Sequence, residues 1–165
     1  MVTRRDFLVG GLAMGASMRF GLASAAASQP ATRVAFDVPA LACDCHTHIH
    51  GPVARFPFFA GRVYTPEQAL PEEMAALHRA LRVQRVVIVT PSVYGTDNSA
   101  TLWGMQARGA DARGVAVIDE NNPDTPLQAM DRAGIRGVRL NLATAGVSDP
   151  SIARKRFADT VARIA

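Results

Sequence analysis

The 165-residue sequence predicts an α/β fold of the (β/α)8 barrel type, represented by about its first four βα units. Three observations predict it. Four short apolar runs alternate with four helical patterns, the signature of a parallel sheet with right-handed crossovers. The second run, Arg85-Val86-Val87-Ile88-Val89, is a continuous β-branched stretch of the kind buried on both faces of such a sheet. The chain is also too short for a whole barrel, which takes about 250 residues. An open doubly wound sheet satisfies the same alternation. No Gly-rich phosphate loop joins any strand to its helix, which argues against a nucleotide-binding version.

Taken in order, the first strand is expected within residues 41–48 and the second at 85–89, followed by runs at 114–118 and 135–142. Thr65, Pro66 and Gln68 supply an N-cap hydroxyl, a first-turn proline and a reciprocating amide, so they predict the start of the first helix. Asp97 or Asn98 caps a second helix ending near Gly109, Thr125-Pro126-Leu127-Gln128 opens a third, and Asp149-Pro150 opens a last.

Residues 1–27 read as an address label. Arg4-Arg5 in Thr-Arg-Arg-Asp-Phe-Leu precede a Gly- and Ala-rich apolar stretch with small residues at 23–27, the pattern of a twin-arginine export signal. That predicts passage through the export machinery to the periplasm, with a lead-in at 28–40 and the barrel part at 41–165. The net charge is +4, and 17 of the 18 basic residues are Arg. They are scattered and accompanied by one Trp and two Tyr, which excludes a nucleic-acid surface as a partner.

Ligands of parallel α/β folds bind at the carboxyl ends of the strands. The first strand ends in Asp44-Cys45-His46-Thr47-His48, and strict alternation puts Asp44, His46 and His48 on one face with Cys43 and Cys45 buried on the other. Two imidazoles at i and i+2 converge on one ion or one substrate oxygen. His50 lies past the strand end, and His78 reads as a solvated helix position. Ser92 and Tyr94 follow the second strand. Arg139 and Asn141 share one face at the fourth, where an inward guanidinium calls for an anion: a substrate carboxylate, a developing oxyanion, or Asp119.

These residues resemble a known family. The Asp44-Cys45-His46-Thr47-His48 run, with Gly51-Pro52, Arg55-Phe56-Pro57 and Arg62-Val63-Tyr64-Thr65-Pro66, is similar to the opening of the amidohydrolase-related family. More narrowly, it resembles the branch holding 2-pyrone-4,6-dicarboxylate lactonase and sugar-lactone enzymes. The stretches 89–98 and 134–141 match that branch too. The resemblance implies a hydrolase for a small carboxylated lactone or amide. It makes His46 and His48 metal ligands for zinc or a similar divalent ion, or, with no cofactor, groups that polarise the carbonyl. It places Tyr64, Ser92, Arg139 and Asn141 in substrate contact. A second basic residue expected after the fourth strand is absent from Ala143-Thr144-Ala145-Gly146, which leaves lactones other than the dicarboxylate equally open. The family's later His and water-activating Asp have no counterpart before Ala165. The alternative is therefore a catalytically incomplete fragment, or a metal-binding or assembly module that forms a homo-oligomer or awaits a C-terminal half.

Overall fold

The computed structural model describes residues 27–31, 33–119 and 126–165, so all of the expected export signal but Ala27, and Thr125 of the third predicted cap, lie outside the described residues. Four strands, β1 (Cys43–Thr47), β2 (Arg85–Val89), β3 (Ala112–Ala116) and β4 (Ile135–Val138), form one parallel sheet in the order β1-β2-β3-β4. Helices α1 (Pro71–Leu81), α2 (Ser99–Arg108), α3 (Leu127–Arg132) and α4 (Pro150–Ile164) follow the four strands in turn. A strictly sequential parallel order is that of a barrel segment. A doubly wound sheet reverses its strand order at a switch point, and none occurs here.

The core explains which face became the outside. Val86 and Ile88 of β2, Ala112 and Ala116 of β3 and Ile135 of β4 pack with Met74 of α1 and Met105 of α2 around a fully buried Ile49, and Met130 of α3 packs against them. All three helices therefore cover one side of the sheet. Closeness of α2 to the sheet depends on two glycines. A Cβ on Gly104 would sit 2.6 Å from Ile49 Cγ1, and one on Gly114 would sit 2.4 Å from Met105 Sδ. A smaller cluster of Phe56, Val93, Tyr94 and Ala100 holds the long loop after β1 against α2. There Arg55 stacks over the rings of Phe56 and Trp103, and Trp103 packs against both clusters.

Several element boundaries differ from expectation. Residues 65–68 are not helical; α1 begins at Pro71, after N-cap Leu70, whose N–H donates to the Glu73 carboxylate at 2.7 Å. Thr65 Oγ1 instead accepts from Arg62 Nε, 2.9 Å away, so its capping chemistry serves a turn. The fourth strand stops at Val138 rather than Leu142, because only the Arg139 N–H continues the ladder, to the Ala116 carbonyl at 2.8 Å. The Asp149-Pro150 start holds: the Asp149 carboxylate accepts the Ser151 N–H at 2.7 Å. Helix α4 leaves Ile152, Phe157, Val161 and Ile164 exposed, Phe157 by 63%. No helix among the described residues is long and apolar enough to cross a membrane.

Candidate functional site

The site is built on an irregularity in β1. Asp44 pairs with Val86 and Thr47 with Ile88, so Cys45 and His46 together oppose the single residue Val87. This two-against-one bulge breaks strict alternation. Register neighbours share a face, so Asp44 and Thr47 lie on the helix-bearing side with Val86 and Ile88. Ile49 returns to that side, while His46, His48 and His50 form a row on the opposite side, the interior of a barrel. The expectation that Asp44 shares the histidine face is thereby corrected. The expectation of two buried cysteines is corrected as well: Cys45 is exposed and Cys43 half-buried, both as free thiols.

Ring centroids of His46 and His48 are 5.1 Å apart and nearly perpendicular, and His50 follows at 6.1 Å from His48. The Nδ1 of His48 lies 2.7 Å from the Val89 carbonyl. A carbonyl only accepts, so Nδ1 carries the proton of the neutral ring and Nε2 is left as a lone pair. Burial lowers the His48 pKa, and the charges of Arg139 and His46 add to that, against a raising effect of the Val89 bond. His50 is pushed down to about 4 by burial and by its neighbour His48. Its backbone is fixed by two 2.9 Å hydrogen bonds with Ala69, and its Nε2 is buried without a partner among the described residues. Sequence reading set His50 aside as loop; its i+4 register with His46 was the available signal.

Arg139 emerges from the end of β4 onto the same side. Its Nη1 donates to the Thr90 carbonyl at 3.4 Å, and it forms no ion pair among the described residues, with Asp119 or any other carboxylate. Asn141 lines a cleft of about 470 Å³ with Tyr94, Thr96, Asp97 and Val117, and its Oδ1 is buried without a partner among the described residues. A larger groove of about 990 Å³ lies between α3, β4 and the end of α4 and is lined by helix-side residues such as Ala116 and Ile135 rather than by the histidines. Ser92 is half-buried just beyond β2. The ring of Tyr94 is buried, and its hydroxyl accepts the Gly51 N–H at 3.0 Å. Tyr64 is 44% exposed on the loop before α1, away from any described bond to the histidines.

Two polar residues assigned to solvent or to capping do more. His78 is 1% exposed, with Nε2 3.1 Å from Asp44 Oδ2; its i+4 spacing from buried Met74 was the signal that places it inward. Asn98 is buried and joins β2 to β3. Its Oδ1 accepts from Thr90 Oγ1 at 2.7 Å and from the Val117 N–H at 2.9 Å. Its Nδ2 donates to the Val117 carbonyl at 2.8 Å and the Thr96 carbonyl at 3.0 Å. Capping of α2 falls to Asp97, which accepts the Ser99 N–H at 2.9 Å.

A catalytic zinc takes three protein ligands. No group of three His, Cys, Asp or Glu side chains able to hold a metal occurs among the described residues.

The chain is 41% identical over 106 residues to 2-pyrone-4,6-dicarboxylate hydrolase of Comamonas testosteroni, covering 64% of this chain and 35% of that protein. It is 35% identical over 107 residues to 4-sulfomuconolactone hydrolase of Rhizobium radiobacter, covering 65% and 36%. The chain thus spans about a third of the length of the curated relatives it matches. Its fold is similar to an Acinetobacter baumannii structure described as a probable 2-pyrone-4,6-dicarboxylic acid hydrolase with citric acid bound, at TM-score 0.57 and 23% identity over 72% of this chain and 45% of that one. Residues 43–163 match the family model described as Amidohydrolase, and the chain belongs to the amidohydrolase family.

Proposed function

We propose that this protein serves hydrolysis of a small carboxylated lactone. The observation that carries the reading is the Nε2 lone pair of His48, fixed by the Nδ1 bond to Val89 and set beside the exposed ring of His46 and the guanidinium of Arg139. Arg139 binds a substrate carboxylate, as a guanidinium without a protein carboxylate suits. His46 donates a hydrogen bond to the lactone carbonyl oxygen. Water attacks the carbonyl carbon and gives its proton to His48 Nε2. Collapse of the tetrahedral adduct breaks the ring C–O bond, and the departing oxygen takes the proton back from His48. The product is an open-chain hydroxy acid. Asn141, Ser92 and Tyr64 supply polar contacts to the rest of the substrate. The lactones named for the two curated relatives support this substrate class. A divalent ion such as zinc, if held by His46 and His48, would need a third ligand from outside the described residues and would polarise the lactone carbonyl.

The test is titration of the chain with 2-pyrone-4,6-dicarboxylate, followed by NMR at His46 and His48 and by loss of pyrone absorbance. Binding that weakens in His48→Ala and Arg139→Gln is expected. Equal binding by wild type, His46→Ala, His48→Ala and Arg139→Gln overturns the reading. Assembly is a second reading, favoured by the open β1 and β4 edges and by Phe157 on α4, in which association completes the site. A strict monomer that hydrolyses the lactone removes it. We also propose that Arg4 and Arg5 direct the folded protein to the periplasm; unchanged fractionation of the double Lys variant contradicts this.

A further inference from the structure

We infer that His78 is a positioning residue for His46, acting through Asp44, an assignment that rests on the reading of His46 as a substrate-contacting group. His78 lies on α1, on the opposite side of the sheet from the histidine row, so it has no path to substrate. It is nevertheless almost wholly buried, which is costly for an imidazole that lacks a partner. Its single partner among the described residues is Asp44, through Nε2 at 3.1 Å, since Nδ1 has none.

The other oxygen of the same carboxylate, Asp44 Oδ1, accepts the backbone N–H of His46 at 3.1 Å. One carboxylate thus joins helix α1 to the bulged residue of β1. The bulge puts His46 on the interior side, while Asp44 itself stays on the helix side. A bulge is an unpaired insertion with disrupted ladder bonds, so the Asp44–His46 bond replaces part of the pairing the ladder lost. Asp44 is partly exposed, its side chain by 33%. Without His78 its carboxylate is free to turn to solvent and release the His46 amide, and the imidazole of His46 loses its fixed aim.

The experiment compares His78→Gln, which keeps an N–H donor at the same reach, with His78→Leu, which fills the volume without one. The readouts are hydrogen exchange at the His46 amide and affinity for 2-pyrone-4,6-dicarboxylate in the full chain. We expect His78→Leu to exchange the His46 amide at least tenfold faster and to bind the probe about tenfold more weakly. Amides of Val86 and Ile88 should stay protected, and His78→Gln should restore both readouts. A His78→Leu chain with wild-type exchange at His46, or with released exchange and unchanged affinity, overturns the assignment. If His78→Leu does not fold, Asp44→Ala, which removes the acceptor of the His46 N–H, decides by the same amide: intact protection overturns, and local loss within a folded sheet supports. Failure of the wild-type chain to bind the probe refutes the substrate reading and with it the assignment, whereas failure confined to the variants' amide readout refutes the assignment alone.

Discussion

Replacing Asn98 with Ala tests how the carboxyl ends of β2 and β3 are held together. Asn98 uses both ends of its amide, so the substitution strands the N–H and C=O of Val117, which it alone pairs among the described residues. Thr90 keeps a partner, because its hydroxyl also lies 2.8 Å from Thr101 Oγ1. The Thr96 carbonyl, on an exposed residue, regains water. Two buried backbone groups at roughly 1–3 kcal/mol each put the loss at about 2–6 kcal/mol. With a urea slope of about 2 kcal/mol/M, the unfolding midpoint falls by about 1–3 M with the slope unchanged. Asn98→Asp is the sharper variant. It keeps an acceptor for the Val117 N–H but turns an oxygen toward the Val117 and Thr96 carbonyls, so it should be no milder than Ala. Urea unfolding followed by fluorescence of Trp103 measures both. A loss under about 1 kcal/mol for Asn98→Ala, or an Asp variant clearly milder than Ala, would refute the clamp. In that case Val117 finds other partners at the strand ends.

Four further outcomes are expected. Stability should fall as pH drops from about 6.5 toward 4, because the unfolded chain takes a proton that His50, held down to about 4, refuses; solvent screening of this half-buried ring limits the loss to about 1–2 kcal/mol, and His50→Gln should flatten that slope in urea titrations. Gly104→Ala places a methyl 2.6 Å from Ile49 Cγ1 and 3.1 Å from Ile88 Cδ1, so thermal unfolding should report a cost of about 1–3 kcal/mol. Arg139→Gln should weaken 2-pyrone-4,6-dicarboxylate binding by about 10–100-fold through the lost charge-assisted bond, with little change in unfolding midpoint, as calorimetry and urea titration would show. Phe157→Glu on α4 should reduce any self-association seen by sedimentation, since that ring is the most exposed apolar group of the helix.

Local chemistry carried much of the fold in the sequence itself. The β-branched run at 85–89 became β2 residue for residue, and Asp149-Pro150 opened α4 where a capping carboxylate and a first-turn proline must. Both depend on neighbours within one turn or one strand, so no distant contact is needed to read them. The strand-end motifs also named His46, His48, Arg139 and Asn141; His46 and His48 lie side by side on the interior side, with His48 against the Val89 carbonyl and Arg139 against that of Thr90. Other assignments failed where a long-range contact overrode a local rule. Thr65-Pro66 carries good capping residues, yet the chain spends that stretch on the turn held by Arg62, and α1 starts at Pro71 instead.

What the sequence by itself determined is the order of elements, their parallel sense and the chemical types gathered at the strand ends, because periodicity, caps and motif spacing are properties of consecutive residues. What only the tertiary structure decided is which side each of those residues faces. The bulge opposite Val87 separates Asp44 from the histidines and leaves it on the side where the buried His78 meets it. Strand alternation is a rule for one isolated strand, and a single extra residue in one partner, set by how β1 docks on β2, reverses it for every residue that follows.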